Sequence, residues 1–275
     1  MRTGGFVGNG QSGETDFAEN LREGCNGGNS RGYLAVIGIG PGDLDQMSIK
    51  AYRTLQQVEV IVGYKTYIDL VAELVKGKEV ISSGMMKEVD RCQKAIEIAL
   101  QKRSVAVISS GDPGIYGMAG VVLELALKMG VQEAIDVEII PGITSANAAA
   151  ASLGAPLMHD FAVISLSDLL TPWETIVQRL EYAAQGDFVT VLYNPVSKKR
   201  TEQIKEAQRI FLKYKPGNTP VGIVRNAKRG NEEVTVSTLA EFLKHPIDMF
   251  TVVLIGNNRT FSSAELMITP RGYSL

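Results

Sequence analysis

The chain has 275 residues, 45% of them hydrophobic, with 28 Lys and Arg against 30 Asp and Glu and a formal net charge of −2. That composition supplies a core for one large domain or two of ordinary size, and it offers no global positive field to draw nucleic acid. Only Cys25 and Cys92 occur, outside any metal-ligand spacing, which argues against a disulfide framework or zinc site and points to the cytoplasm, and no apolar run approaches the ~20 residues that span a bilayer.

In chain order, residues 1–32 lack the apolar core of a signal peptide and are rich in Gly, Asn and Glu, so they read as a flexible leader. From Tyr33 onward, short β-rich segments alternate with amphipathic helical ones, the pattern of α/β architecture. Strands are expected at 34–39, 57–62, 104–110 and 136–140. Helices are expected at 46–56, 66–76, 87–102 and 117–129, with Gly130 standing where a C-cap stops the last. This describes a parallel, crossover-linked first domain over 33–143.

Pro141-Gly-Ile-Thr144 then opens an alanine-rich helix, Ser145–Leu153, with Thr144 or Ser145 as N-cap. The second domain is placed at 144–262, with strands at 161–166, 187–193, 220–226, 232–236 and 250–255 and helices around 173–184, 199–213 and 238–244. Segments 220–226 and 232–236 lie close enough for a hairpin, so antiparallel pairing enters a mixed sheet. Residues 263–275 read as a tail.

Two glycine-rich turns each join a strand to a helix. In Gly38-Ile-Gly-Pro-Gly-Asp43 the first two glycines match a dinucleotide fingerprint, but Asp43 stands where the third belongs and Pro41 has no N–H. A carboxylate beside a donor-poor turn would repel phosphate, so the loop suits a ligand without one. The second turn, Ser109-Ser-Gly-Asp-Pro-Gly-Ile-Tyr-Gly117, follows strand 104–110. The carboxyl edge of an open α/β sheet is where ligands bind, so both turns are expected to face one crevice. Thr144 and Ser145 add hydroxyls and helix-start amides suited to a carboxylate or ribose. Any one of these is ordinary Gly and Pro punctuation; their combination carries the weight.

Gly38-Ile-Gly-Pro-Gly-Asp43, Ser110-Gly-Asp-Pro113 and Pro141-Gly-Ile-Thr144 together resemble, in order and spacing, the motifs of the tetrapyrrole methylase family, from about Tyr33 to Phe261. The resemblance implies a two-domain α/β fold, with a parallel-sheet N-terminal domain, a mixed-sheet C-terminal domain and S-adenosylmethionine (SAM) bound in the cleft between them. The stretch His159 to Glu174, with Tyr193-Asn-Pro195 and Thr269-Pro-Arg-Gly-Tyr273, is similar to the branch that methylates C17 of precorrin-3B or cobalt-factor III in cobalamin biosynthesis and contracts the ring by extruding C20. On matching positions it implies cofactor contacts at Pro41, at Ser110, Gly111, Asp112 and Ile115, at Thr144 and Ser145, and through backbone groups at Asn194 and Ala227. It implies a tetrapyrrole small-molecule substrate, no nucleic-acid or membrane partner, a homodimer and no protein-bound metal, cobalt being carried by the substrate.

A family member with another substrate, such as uroporphyrinogen III, a different precorrin or diphthine, is the near alternative, which the 159–174 stretch opposes. A non-catalytic nucleotide-binding module is the alternative from another class, which Pro41 and Asp43 oppose.

Methyl transfer from a sulfonium to carbon is an in-line displacement that annihilates charge, so alignment in a water-poor pocket supplies much of the acceleration without a nucleophilic side chain. A proton must still leave the macrocycle. Uroporphyrinogen methylases carry an Asp just after the second strand, where this chain has Tyr64, so that base assignment does not carry over. Tyr64 either hydrogen-bonds the substrate or acts as a general acid, or it packs as an aromatic with a satisfied hydroxyl. Lys65 beside it is a substrate-side candidate.

Asp43, with Tyr64 a catalytic candidate, either faces the substrate, where it could take a proton, or shapes its turn, and Asp112 either binds cofactor or caps its turn. Acetate and propionate groups on the macrocycle call for cations. Arg225, which ends an apolar strand, is the preferred one, with Lys228-Arg229 beyond it, whereas Lys198-Lys199-Arg200 reads as a solvated helix start. His159 beside Asp160 reads as a structural histidine at a strand entrance, and Trp173 as a core residue.

Overall fold

The computed structural model describes residues 31–84 and 86–274, so the expected leader lies outside the described residues except for its last two positions. The described chain divides into two compact units that are not consecutive stretches. One holds the described residues up to Ile37 with Ile49–Ser109 and Tyr116–Pro141. The other holds Gly38–Ser48, Ser110–Ile115 and everything from Gly142 onward. A single cut at 143 and 144 therefore does not separate them, because both glycine-rich turns belong with the second unit.

The first unit is built from β1 (Gly32–Gly38), α1 (Ile49–Gln57), β2 (Val60–Tyr64), α2 (Lys65–Leu70), β3 (Glu79–Ser83), α3 (Glu88–Leu100), β4 (Val105–Ser109), α4 (Ala119–Lys128) and β5 (Ile135–Ile140). Its five strands run in the order β3-β2-β4-β1-β5, and the pairings β1–β5, β2–β3 and β2–β4 are parallel. Helices cover a parallel sheet on both faces, so its inner strands are apolar throughout rather than alternating. Accordingly Leu34, Ala35, Val36 and Ile37 of β1 and Val105, Ala106, Val107 and Ile108 of β4 are all buried. Leu34, Val36, Val60, Val62, Val105 and Val107 pack with Cys92, Ala95, Ile96 and Ala99 of α3 and Val122 and Ala126 of α4. Burial pushes the Cys92 thiol up to about 11, which makes it a packing residue rather than a reactive one.

Two expectations change here. Strand β3 is absent from the sequence reading because Glu-Val-Ile-Ser-Ser at a sheet edge is mostly exposed and carries no apolar run. The helix expected over 66–76 ends at Leu70. Beyond it Val71, Leu74, Val75 and Lys78 form successive turns, their N–H groups donating to Ile68, Val71, Val71 and Val75 carbonyls. Val71 and Val75 are still buried, so the i, i+4 apolar spacing is met by turns instead of a continued helix.

The second unit contains α5 (Ser145–Leu153), β6 (Gly154–Ala155), β7 (Phe161–Ser165), α6 (Trp173–Gln185), β8 (Val189–Tyr193), α7 (Gln203–Leu212), β9 (Pro220–Arg225), β10 (Glu233–Thr238), β11 (Thr251–Ile255), β12 (Phe261–Ser263) and β13 (Leu266–Ile268). Its main sheet has the order β10-β9-β11-β8-β7. Strands β7 and β8 pair in parallel, while β8–β11, β11–β9 and the β9–β10 hairpin are antiparallel, which gives the mixed sheet expected from the sequence.

Side chains alternate between its faces with a period of two. Leu192, Val221, Ile223, Val253 and Ile255 pack with Ile176 and Leu180 of α6 and Ile204 and Phe211 of α7. Val191, Val224, Val252 and Leu254 pack with Ala146, Ala148, Ala149, Ala150 and Leu153 of α5. The alanines let α5 lie close to the strands, and a Cβ on Gly222 would fall 2.3 Å from the Leu153 Cδ1. Part of the stretch read as a tail is ordered in a small sheet, where β13 pairs antiparallel with β12 and parallel with β6. The helix expected at 238–244 is reduced to a 3-10 turn at Phe242–Lys244. Among the described residues no helix is long and apolar enough to cross a membrane.

Candidate functional site

Within the second unit, the loops that follow β1, β4 and β5 meet backbone to backbone. Gly40 and Gly111 exchange N–H···O bonds of 3.2 and 2.8 Å, and both adopt the left-handed conformation that glycine tolerates without cost, at φ 73° and 66°. Gly38 and Gly142 are glycines for a different reason. A Cβ on Gly38 would lie 2.6 Å from the Gly111 carbonyl oxygen, and one on Gly142 would lie 2.1 Å from that same atom. The Asp112 carboxylate joins two of the loops: Oδ1 accepts from the Gly114 N–H at 2.8 Å and Oδ2 from the Gly142 N–H at 3.0 Å. Asp112 thus braces the second loop against the third.

The β9–β10 hairpin loop holds the first turn. Arg229 Nε donates to the carbonyl of the buried Pro41 at 2.5 Å and Nη2 donates to Ser110 Oγ at 3.2 Å, while the Asp43 N–H donates to the Lys228 carbonyl at 3.2 Å. Arg229, read from the sequence as a reserve cation for substrate carboxylates, is therefore tied to the loops themselves. Asp43 is exposed and sits at the start of a 3-10 turn at Leu44–Gln46, and its carboxylate makes no capping hydrogen bond. Ile115 is 40% exposed on the second loop.

At the start of α5, Thr144 occupies the N-cap position without a side-chain capping bond. Its hydroxyl instead pairs with Tyr193 Oη at 2.5 Å, and that phenol oxygen accepts the Ala146 N–H at 2.8 Å. A tyrosine from the end of β8 thus performs the capping that a Ser or Thr side chain ordinarily supplies. The Ser145 and Asn147 amides have no partner among the described residues and point from a helix start, where a carboxylate or another electron-rich group is favoured. Tyr193→Phe is expected to cost about 1 kcal/mol by stranding the Ala146 N–H and the Thr144 hydroxyl, measured as a lower urea midpoint at unchanged slope.

Asn194 follows in the left-handed region at φ 52°. Its side-chain amide donates to Ser165 Oγ at 3.0 Å and its carbonyl accepts from Arg200 Nη2 at 2.9 Å. Arg200 thus braces the chain beside Asn194 rather than standing at a solvated helix start. Ala227 is buried with the alanines of α5, between Asn226 and Lys228, both at positive φ.

Arg225, expected to face a macrocycle carboxylate, is paired with Asp248 at 2.8 Å and Glu233 at 2.9 Å, and its side chain is 37% exposed. Burial alone would raise the Asp248 carboxyl, but the Phe250 N–H, Arg225 and Thr251 outweigh it and hold the group below its ordinary value of 3.8. A depressed carboxyl stabilises the fold above that value, and the contribution is lost as pH falls through the lower folded pKa. Asp248→Asn should therefore flatten the decline of the thermal midpoint below about pH 4, and an unchanged acid limb would contradict the assignment.

Tyr64 and Lys65 lie in the first unit, at the carboxyl end of β2. The Tyr64 ring stands edge-on to Tyr67 with centroids 5.2 Å apart, and its hydroxyl makes no hydrogen bond among the described residues, so packing accounts for the ring but not for the oxygen. The His159 side chain is 43% exposed just before β7, 3.7 Å from Asp160, and no further partner converges on it among the described residues. Trp173 packs against the α6–α7 core. Among the described residues no group of three or more His, Cys, Asp or Glu is placed to hold a metal ion.

Sequence reasoning alone does not find Tyr193 and Arg229 in these roles. Tyr193 reads as the end of an apolar strand and Arg229 as a turn charge, and only the register of the sheet brings them to the loops.

The family model described as Tetrapyrrole (Corrin/Porphyrin) Methylases matches residues 33–243. A relative from Priestia megaterium, named cobalt-factor III methyltransferase, is 50% identical over 245 residues, which are 88% of this chain and 45% of that protein. One from Salmonella typhimurium, named probable cobalt-factor III C(17)-methyltransferase, is 50% identical over 242 residues, 88% of this chain and 100% of that protein. The chain thus spans less than half of the first relative and the whole of the second. The crystal structure of the methyltransferase CobJ superposes with a TM-score of 0.80 at 36% identity, covering 87% of this chain and 100% of that one. The matched span includes all three convergent loops, and the chain belongs to the tetrapyrrole methylase family.

Proposed function

We propose that this chain is a SAM-dependent C-methyltransferase that methylates C17 of cobalt-factor III or precorrin-3B, with ring contraction, in cobalamin biosynthesis, acting as a cytoplasmic homodimer. The observation that carries the reading is identity at half of the aligned positions along the whole length of a relative named for that reaction. The homodimer and the compartment rest on the resemblance to the family and on the composition. Cobalt, where present, belongs to the substrate.

The convergent loops fit a methyl donor that presents an amino acid and a nucleoside but no phosphate. Glycines at 38, 111 and 142 let the three loops pack backbone to backbone, and the Thr144 and Ser110 hydroxyls and the Ser145 amide are donors suited to a carboxylate or ribose. Pro41, Ser110, Gly111, Asp112, Ile115, Thr144, Ser145, Asn194 and Ala227 are the residues assigned to hold it. When bound, the cofactor supplies an electrophilic methyl group on a sulfonium.

The chain's own work is then to align that group with a macrocycle carbon, exclude water and accept or relay a proton. Asp43 is assigned to the substrate side, because its exposed carboxylate is not used to cap its turn. Tyr64, with its hydroxyl unpartnered among the described residues, and the exposed Lys65 are the other substrate-side assignments. Arg225, paired with Asp248 and Glu233 and still partly exposed, is the cation assigned to a macrocycle carboxylate.

Incubation with methyl-labelled SAM and either cobalt-factor III or precorrin-3B should yield a product one methyl group heavier, with an altered visible spectrum. No mass shift with either macrocycle would overturn the reading. A shift with uroporphyrinogen III alone would assign the chain to another branch of the family.

A further inference from the structure

We propose that Arg229 is a positioning residue of the methyl-donor site, and that it makes the Ser110 hydroxyl a hydrogen-bond donor toward the cofactor while locking the Pro41 carbonyl; the proposal rests on the reading of these loops as the donor site. A guanidinium only donates, so in the 3.2 Å contact with Arg229 Nη2 the Ser110 oxygen is the acceptor. A hydroxyl has one proton and two lone pairs. With a lone pair engaged by Arg229, the Ser110 proton is directed elsewhere and remains available to an acceptor on a ligand.

The other half of the fork satisfies the carbonyl of Pro41, a buried residue that has no N–H of its own. Asp112 joins the second loop to the third, and Arg229 joins the first to the second.

The arginine is itself held in place. Its N–H donates to the Asn226 carbonyl at 2.9 Å. Glu232 Oε1 accepts from the Lys228 N–H at 2.8 Å and from Ser152 Oγ of α5 at 2.6 Å, so the hairpin loop is tied to the helix whose first residues are also assigned to the cofactor. The aliphatic stem lies on Gly42, where a Cβ would approach Arg229 Cγ to 2.5 Å. A lysine has neither the planar fork nor the reach geometry to make both contacts.

The test compares Arg229→Met, Arg229→Lys, Ser110→Ala and the Arg229→Met/Ser110→Ala pair in the intact chain. Calorimetric binding of S-adenosylhomocysteine (SAH) and steady-state kinetics in SAM are the readouts. Arg229→Met should weaken SAH binding about tenfold or more and raise KM for SAM, with a smaller change in kcat at saturating SAM, and Arg229→Lys should recover part of the loss. Ser110→Ala should weaken binding in the parent but have little further effect once Arg229 is gone, a non-additivity that a purely structural arginine would not produce.

Binding within about twofold of the parent, or additive losses, would overturn the proposal. If Arg229→Met does not fold, the same cycle with Arg229→Lys decides. If the parent chain binds no SAH, the donor-site reading falls, and amide exchange judges the clamp separately. Arg229→Met should then raise exchange at Gly40, Asp43 and Gly111, and unchanged protection would overturn it.

Discussion

Gly142→Ala is expected to weaken SAH binding by about ten- to a hundredfold and to destabilise the protein by about 1–3 kcal/mol. The added methyl would lie 2.1 Å from the Gly111 carbonyl oxygen and 2.8 Å from the carbonyl carbon and oxygen of Gly38. All are backbone atoms, so no flexible side-chain tip can yield. The loops must move apart, and the 3.0 Å bond from the Gly142 N–H to Asp112 is stretched as they do. Gly120→Ala is the matched control. Nothing lies within 4 Å of its Cβ and it sits in α4, so the same chemical change should leave binding alone and add about 0.5–1 kcal/mol of stability. Calorimetry and thermal unfolding of both variants give the comparison. A Gly142→Ala protein that binds SAH like its parent would show that loop contact is not what shapes the site.

Lys215→Ala should lower the thermal midpoint more than any surface substitution. The Lys215 side chain is fully buried and its ammonium lies 2.5 Å from Asp187 Oδ1. Asp187, in the left-handed region at φ 56°, also accepts the Asn258 N–H at 3.1 Å. One ion pair thus ties the end of α7 to the α6–β8 turn and to the chain after β11. Removing one partner of a buried pair costs about 3–5 kcal/mol. Because Asp187 is 37% exposed and can rehydrate, about 2–4 kcal/mol is expected here, with each kcal/mol worth roughly 2–4 °C at this size. The double variant Lys215→Met/Asp187→Asn, which removes both charges and keeps the buried stem, should recover most of the loss. A single variant within about 1 °C of the parent would contradict the role given to the pair.

Much of the architecture is legible in the chain because the physics is local. Runs of Val and Ile mark β1, β2, β4 and β5, and the spacing between 220–226 and 232–236 gives the hairpin. Strand β3 is not legible, since an edge strand needs little apolar surface. The small sheet of β6, β12 and β13 is not legible either, since its segments are two or three residues long and pair across the unit.

The site divides the same way. Gly38, Gly40, Gly111, Gly142 and Thr144 are visible as motif residues, but why each is needed is not. Two glycines meet a φ requirement and two meet a steric one, and sequence does not distinguish them. Tyr193 reaches the start of α5 from 49 residues away in the chain, and Arg229 reaches Pro41 across 188. Such contacts depend on strand register, which hydrophobic pattern fixes only within each strand. The partners of Arg225 are illegible for the same reason, because Glu233 and Asp248 lie on a neighbouring strand and loop that no local reading associates with it.

If Pro41 and Asp43 disfavour a phosphate while Arg229 fixes the turn around them, the site discriminates between two adenosine-containing ligands. Direct calorimetric titration of the intact chain with SAH and with NAD tests this most directly. Saturable one-to-one binding of SAH with no detectable heat from NAD is the predicted result. NAD binding as tight as SAH binding, or no SAH binding, would contradict it.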